Sequence, residues 1–249
     1  LLGRLQLALD IFRQAEQTLP AWRDTDGKEV LYFLIGREEL ALNNDQAAEK
    51  AALQALEINQ DYARAQIVLA GVYYVRAQRL PSVERLLAPS ALILALTQYE
   101  KGVVLARQAQ DPLLLSIAEL ALARAQRVKA ETYYINGDLD NANVAFDQAT
   151  AGITATIPIL TDAQQVRLVA QAYQSLGAAY YQQADVYRQQ NDPAGQRQHW
   201  EQARVAFASC IDQGKQAPLD QYLHEEIIAK ICQPQQANVE KALGELEGK

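Results

Sequence analysis

The stretch that decides the fold is residues 45–63, which read DQAAEKAALQALEINQDYA. Ala48, Ala52 and Ala55 stand four and then three residues apart, so they share one face of an α-helix. Small side chains on one face allow a neighbouring helix to approach closely. The stretch therefore predicts a helix that packs tightly against a second helix.

The same four-and-three spacing recurs along the chain, with a larger residue in the middle that would fill the space between the helices. It is found at Ala8-Phe12-Ala15, Ala95-Tyr99-Gly102, Ala142-Phe146-Ala149 and Ala203-Phe207-Cys210. A second pattern, a small residue followed three positions later by tyrosine or a substitute, precedes four of the five instances. It is found at Gly36-Glu39, Ala70-Tyr73, Ala130-Tyr133 and Gly177-Tyr180.

Together the two patterns resemble the tetratricopeptide repeat (TPR), a helix-turn-helix unit of about 34 residues. Gly36 and Ala70 are 34 residues apart, and Gly36 and Ala48 are 12 apart, as a TPR hairpin requires. The resemblance implies an all-α fold, a right-handed superhelical solenoid of antiparallel helix hairpins. The predicted single solenoid spans residues 1–232: a partial repeat 5–20, repeats at about 29–62, 63–110, 112–156 and 162–217, and a capping helix 219–232. A C-terminal tail or short helix follows at 233–249.

Two hairpins depart from the TPR length. Ala70 and Ala95 are 25 residues apart, and Gly177 and Ala203 are 26 apart, instead of 12. Adding about seven residues, or two turns, to each helix keeps the buried face in register. These two hairpins are therefore predicted to have elongated helices. Glu39 stands where the family prefers tyrosine, and Lys129 where it prefers leucine.

Composition excludes several classes of protein. The chain has 249 residues, of which 49% are hydrophobic, so it can bury a core and is not a disordered chain. A net charge of −7 argues against nucleic-acid binding through a general basic field. No apolar run reaches the roughly 18 residues that a membrane-spanning helix needs, so no membrane insertion is expected. Residues 153–159, ITATIPI, favour β structure, and we interpret them as an ordered connection.

The sequence offers little for catalysis or cofactor binding. It has no glycine-rich phosphate loop, no paired-cysteine zinc motif and no Gly-x-Ser-x-Gly elbow, so a non-catalytic protein without cofactor or metal is predicted. Cys210 and Cys232 are interpreted as buried free thiols, because an offset of several turns would put them too far apart for a disulfide. His199 and Trp200 are predicted to be a surface pair, and His224 is not expected to bind metal.

Tyrosine doublets carry the functional hypothesis: Tyr73-Tyr74, Tyr133-Tyr134 and Tyr180-Tyr181. The TPR resemblance implies that the first tyrosine packs inside its hairpin, while the second, about 100° around the helix, faces a concave groove. The same reasoning gives the predicted groove residues Phe33, Arg37, Arg64, Ile67, Tyr74, Arg124, Arg127, Tyr134, Gln171, Gln174 and Tyr181. An equally weighted alternative is that these tyrosines only pack against adjacent repeats.

A groove of tyrosine faces and arginine forks suits a peptide or protein partner with acidic or aromatic residues. The family's carboxylate clamp is not reproduced, because its places hold Phe33, Arg37, Ile67 and Gly71. The sequence therefore predicts a protein–protein interaction module, expected to be part of a larger protein. The alternative is a structural module that self-associates, as a homodimer, through an open N-terminal face on residues 5–19. The low cysteine count favours the cytosol weakly and leaves an extracytoplasmic location open.

Overall fold

A computed structural model describes residues 2–22, 27–87 and 90–247, and these are almost entirely helical, without a strand in the described ranges. The helices are α1 (Leu2–Thr18), α2 (Lys28–Ala41), α3 (Asp45–Ile58), α4 (Ala63–Arg79), α5 (Ser82–Arg85), α6 (Ala91–Gln108), α7 (Pro112–Ile135), α8 (Leu139–Asp162), α9 (Val166–Gln189), α10 (Pro193–Gln216) and α11 (Gln233–Glu247). A 3-10 turn occupies Leu19–Ala21 and a π-helix occupies Leu223–Cys232. The all-α class and the elongated hairpins are confirmed.

The chain divides into two compact units, an N-terminal unit of residues 1–121 and a C-terminal unit of residues 122–249. In the N-terminal unit each long helix packs on the next, and α2 also packs on α4, the first helix of the following hairpin. In the C-terminal unit α8 packs on α9, α9 on α10, and α10 on both the π-helix and α11. The single solenoid over residues 1–232 stays a prediction.

The tight turns share one backbone device. Asn43, Gln110, Gly137, Gln164 and Asn191 each have a positive φ, and each lies two residues before the first residue of the next helix. A left-handed residue ends a helix and lets its last carbonyls accept hydrogen bonds from the turn. Asp138 and Asp192 then accept bonds from backbone amides of α8 and α10. These three-residue connections make consecutive helices antiparallel.

In the N-terminal unit, the departure at Glu39 has a structural reason. Its carboxylate is buried and accepts hydrogen bonds from Arg13 of α1 at 2.8 Å and from Asn44 at 2.9 Å. Leu9 of α1 is buried in a cluster with Leu31 and Ile35 of α2. A buried carboxylate is tolerated when it is paired and hydrogen-bonded, so at Glu39 an ion pair with α1 takes the place of the tyrosine in the TPR pattern.

Two predictions about local structure are wrong. Residues 153–159 lie inside α8, where Ile153, Thr156, Ile157 and Leu160 form a buried helical stripe. Pro158 lies in this helix on an exposed position, where water can satisfy the carbonyl that the proline leaves without a donor. The prediction that each helix of the 63–110 hairpin is two turns longer is also wrong. Helices α4 and α6 gain only about one turn each over α2 and α3, and a connection that contains α5 holds the remainder.

Cys210 and Cys232 form a disulfide, which overturns the interpretation as free thiols. Their Cα atoms are 6.4 Å apart, within the range that a disulfide spans. The predicted offset assumed an ordinary α-helix after α10. The wider turn of a π-helix advances the chain less per residue, which keeps Cys232 level with Cys210. Helical structure also continues past Pro234. The π-helix ends at Cys232, and α11 begins at Gln233, directly before this proline.

Candidate functional site

The predicted groove residues of the N-terminal unit are engaged with neighbouring side chains. Phe33 is buried and lies edge-on to Tyr62, with their ring centroids 5.9 Å apart. The Arg37 guanidinium lies 5.7 Å above the Phe33 ring and its Nε donates to Glu38 at 2.8 Å. Phe33 is therefore a core residue whose outer face is covered by an arginine.

Arg64 and Tyr74, two further predicted groove residues, contact residues of the same unit. The Arg64 Nη2 is 3.5 Å from Asp111 Oδ2, in an exposed ion pair. Tyr74, the second tyrosine of its doublet, is half-buried and lies edge-on to Tyr99 of α6 at 6.5 Å between ring centroids. Its neighbour Tyr73 donates from its hydroxyl to Glu49 of α3 at 3.1 Å. Tyr74 therefore has a packing partner within its own hairpin.

In the C-terminal unit, three predicted groove residues line one cavity of about 350 Å³: Tyr134 of α7, with Gln174 and Tyr181 of α9. We call this cavity the tyrosine pocket. The first helices of two successive hairpins form its sides, and residues from the π-helix and α11 complete it. Its other lining residues are Glu131, Ile135, Ala178, Gln182, Asp185, Ile231 and Gln235.

The remaining predicted residues of this unit lie on the same two helices. Arg127 is half-buried on α7, and its Nη1 donates to Gln182 of α9 at 2.7 Å. The same nitrogen is 3.8 Å from Glu131 Oε2. Arg124 and Gln171 are half-buried and are not among the residues that line the tyrosine pocket. Arg127 thus links α7 to α9 and supports the lining residue Gln182.

The charge of the tyrosine pocket differs from the charge that the sequence predicted. Its charged lining residues are Glu131 and Asp185, both acidic, whereas the prediction relied on arginines. Burial raises the pKa of Asp185, and Arg188, whose Nη2 is 3.0 Å from Asp185 Oδ1, opposes that rise. Arg127 is turned to partners within the protein, and the pocket presents carboxylates instead.

Spacing along α9 could have identified several lining residues that the sequence analysis missed. Gln174, Ala178, Tyr181 and Asp185 follow one another at intervals of four, three and four, so they share one helix face. Glu131 likewise precedes Tyr134 by three residues on α7. Ile231 carried no such signal, because its direction depends on the π-helix.

His199 and Trp200 are not the predicted surface pair. Trp200 is only 7% exposed and belongs to the core of the C-terminal unit. The half-buried His199 ring stacks on Tyr187 with centroids 4.6 Å apart, and its Nδ1 lies 2.8 Å from the Gly195 carbonyl oxygen. Both side chains therefore hold α10 against α9 and its turn.

Over the part of the chain that the structure describes, no group of three or more His, Cys, Asp or Glu side chains could hold a metal ion. The His224 Nε2 is 3.2 Å from the Ala217 carbonyl oxygen. None of the helices in the described ranges combines the length and apolarity needed to cross a membrane.

The disulfide includes Cys232, which directly follows Ile231, a lining residue of the tyrosine pocket. Both cysteines are fully buried in the core cluster that packs α9, α10, the π-helix and α11 together. At the other end of the π-helix, Arg167 of α9 makes paired hydrogen bonds to Asp220 at 2.8 and 3.0 Å. The disulfide thus ties the π-helix, and with it Ile231, to α10, and the Arg167–Asp220 pair ties the residues just before the π-helix to α9.

Comparisons with known proteins rest on structure. No protein-family profile matches the sequence, and no curated protein is similar to it in sequence. The chain is similar to the crystal structure of a thermophilic TPR protein of Thermus thermophilus, with a TM-score of 0.52 and 18% identity over 96% of this chain and 92% of that chain. It is also similar to a Rap protein complexed with Competence and Sporulation Factor, with a TM-score of 0.48 and 17% identity over 98% of this chain and 72% of that chain. The first likeness agrees with the helical repeat fold that the motifs predicted.

Proposed function

We propose that this chain, whose fold is TPR-like, is a non-catalytic protein–protein interaction module that binds a peptide or protein segment at the tyrosine pocket. One observation carries the proposal. Tyr134 and Tyr181, the second members of two doublets on successive hairpins, line the same cavity together with Gln174. Three of the residues predicted to face a binding groove thus line one cavity.

The chemistry of the tyrosine pocket suits a side chain of a partner. Tyrosine offers a wide apolar face and a hydroxyl at a low cost in conformational entropy, which is why it is enriched at binding hot spots. A volume of about 350 Å³ is at the lower end of the range for ligand sites, and fits one or two side chains. Ile135, which is 53% exposed, provides apolar surface at the edge for the flanking residues of a peptide.

We expect the predicted groove residues of the N-terminal unit to contribute less to binding. Phe33 and Tyr74 have aromatic partners, and Arg37 and Arg64 have acidic ones. Breaking those contacts would oppose binding there. Of the two predicted partner chemistries, acidic and aromatic, the carboxylates of Glu131 and Asp185 in the pocket lining disfavour the acidic one.

Selection from a library of random 12-residue peptides displayed on phage, with the full chain immobilised, tests the proposal. We expect enriched peptides whose affinity, measured by fluorescence anisotropy, falls more than tenfold in a Tyr134→Ser/Tyr181→Ser variant. Tyr222→Ser is the matched control, because Tyr222 is also half-buried in the C-terminal unit but does not line the pocket. The proposal fails if no peptide is enriched, or if the double variant and the control bind alike.

Self-association through the N-terminal face is the second candidate, because α1 carries exposed apolar side chains. Leu7 is 62% exposed and Ile11 is 55% exposed, and a spacing of four places them on one face. The opposite side of α1, with Leu9, packs on α2. Sedimentation equilibrium of the parent and of a Leu7→Gln/Ile11→Gln variant tests it. A monomeric parent chain would exclude this candidate.

A further inference from the structure

We propose that the tyrosine pocket receives a basic side chain, an arginine or a lysine, from the bound peptide segment, with Glu131 and Asp185 pairing with its cation. The inference rests on the proposed function, because it names the chemistry of the partner at the same pocket. It reverses the acidic partner that the arginines in the sequence predicted. Charge, aromatic walls and the state of each carboxylate support it separately.

Glu131 has unused capacity to pair with a cation. The Arg127 Nη1 is 3.8 Å from Glu131 Oε2, which is longer than a charge-assisted hydrogen bond. That nitrogen donates instead to the Gln182 side chain at 2.7 Å. Arg127 therefore lowers the electrostatic cost of the Glu131 charge without occupying its oxygens.

Asp185 is in a similar state on the opposite side. Arg188 approaches one of its oxygens, Oδ1, at 3.0 Å, whereas a carboxylate has about four lone-pair sites. Arg188 is itself an exposed side chain, so water and salt screen its charge. Burial raises the pKa of Asp185 despite Arg188, so the carboxylate is incompletely compensated. A cation in the pocket would replace the hydration that Asp185 has lost.

The apolar walls favour an organic cation. A guanidinium or ammonium group gains from the electron-rich faces of Tyr134 and Tyr181, and its aliphatic stem would lie against Ala178 and Ile231. An acidic side chain would instead bring a like charge next to two carboxylates in a partly desolvated site. The chain's net charge of −7 adds a weak long-range attraction for cations.

The test uses five synthetic peptides, acetyl-Gly-Leu-X-Leu-Gly-amide, in which X is arginine, lysine, citrulline, leucine or glutamate. Citrulline matches arginine in shape but is neutral. Each peptide is titrated into the ¹⁵N-labelled full chain, and dissociation constants are taken from the resonance shifts of residues 131–135 and 174–185. We expect arginine to bind at least tenfold more tightly than citrulline, lysine to lie between them, and glutamate to bind weakest.

Two variants with equal changes in charge separate local pairing from the long-range field. A Glu131→Gln/Asp185→Asn variant should reduce the arginine-to-citrulline ratio to about one. An Asp212→Asn/Glu245→Gln variant, which removes two exposed carboxylates of the same unit, should keep the ratio above fivefold. Unchanged positions of the amide resonances away from residues 131–135 and 174–185 would show that the first variant is folded.

The outcomes distinguish the inference from the proposed function. Binding of the peptides without a preference for arginine over citrulline, or with a preference for glutamate, overturns the inference and leaves the proposed function standing. If none of the five peptides shifts these resonances and the displayed library yields no binder, the proposed function fails and the inference fails with it. Loss of the arginine preference in both charge variants would assign it to the general field and also overturn the inference.

Discussion

Removing the Cys210–Cys232 disulfide is expected to destabilise the C-terminal unit by about 3 kcal/mol. The bond joins residues separated by 22 positions, and the loop-closure entropy that it removes from the unfolded chain corresponds to that magnitude. For a chain of this size each kcal/mol lowers the melting temperature by roughly 2–4 °C, so the total shift is on the order of 6–12 °C. The loss should be local first, because helical repeats couple mainly to their neighbours.

Thermal melts of the parent with and without reductant, beside a Cys210→Ala/Cys232→Ala variant, measure this loss. Reductant should lower the melting temperature of the parent and leave that of the variant unchanged. Hydrogen exchange should accelerate first in the π-helix and α11, which α10 holds. Equal melting of the parent in both conditions, with two free thiols found by mass spectrometry, would refute the disulfide.

The reduced protein should also bind peptides more weakly, because Cys232 fixes the position of Ile231 in the pocket lining. Disulfides persist in oxidising compartments and are rare in cytosolic proteins. The bond therefore argues against the cytosolic setting that the low cysteine count favoured.

Two further predictions concern stability. Gly177→Ala should destabilise the protein by about 1–2 kcal/mol in a thermal melt, because the added Cβ would come within 2.8 Å of the buried Phe207 ring and this clash outweighs the gain in helix propensity. Gly244→Ala is the control and should be neutral or stabilising, because nothing lies within 4 Å of its Cβ position. The same effect at both positions would contradict the packing of Gly177 against Phe207. Asp45→Asn should cost up to about 1 kcal/mol at pH 7, because hydrogen bonds, first of all from Arg76, lower the pKa of this carboxyl in the folded state. A carboxyl whose pKa is lowered in the folded state stabilises the fold above its unfolded pKa, and this contribution is lost as the pH falls through the folded pKa. Urea titrations should therefore show the variant and the parent converging as the pH falls below the unfolded pKa.

The helical hairpins could be predicted from the sequence because small residues at fixed spacing leave few other structures. Ala48, Ala142 and Ala203 are all fully buried in the structure. Residues 153–159 misled because β-branched residues also serve on a buried helical face, where tertiary packing overrides propensity. Ile153 and Ile157 are four residues apart, which is the spacing of one helix face, and both are buried in the structure. The single proline in this stretch disfavoured a helix and so outweighed that signal.

The candidate site was only partly predictable. Tyr134, Gln174 and Tyr181 follow from helical spacing, since position on a helix fixes the direction of a side chain near its Cα. The direction of the arginine side chains does not, because arginine is long and its end can turn to an internal partner, as Arg127 turns to Gln182. The π-helix, and with it the disulfide and Ile231, depends on a change of hydrogen-bond register that has no clear signature in the sequence.

Photo-crosslinking tests the central claim, recognition of a peptide at the tyrosine pocket, most directly. A peptide selected from the displayed library is synthesised with a benzophenone group, irradiated with the unmodified full chain, and the attachment points are mapped by mass spectrometry. Attachment within residues 131–135, 174–185 or 231–235, competed by the unlabelled peptide, is the predicted result. Competable attachment confined to other parts of the chain would contradict the assignment of the pocket as the binding site.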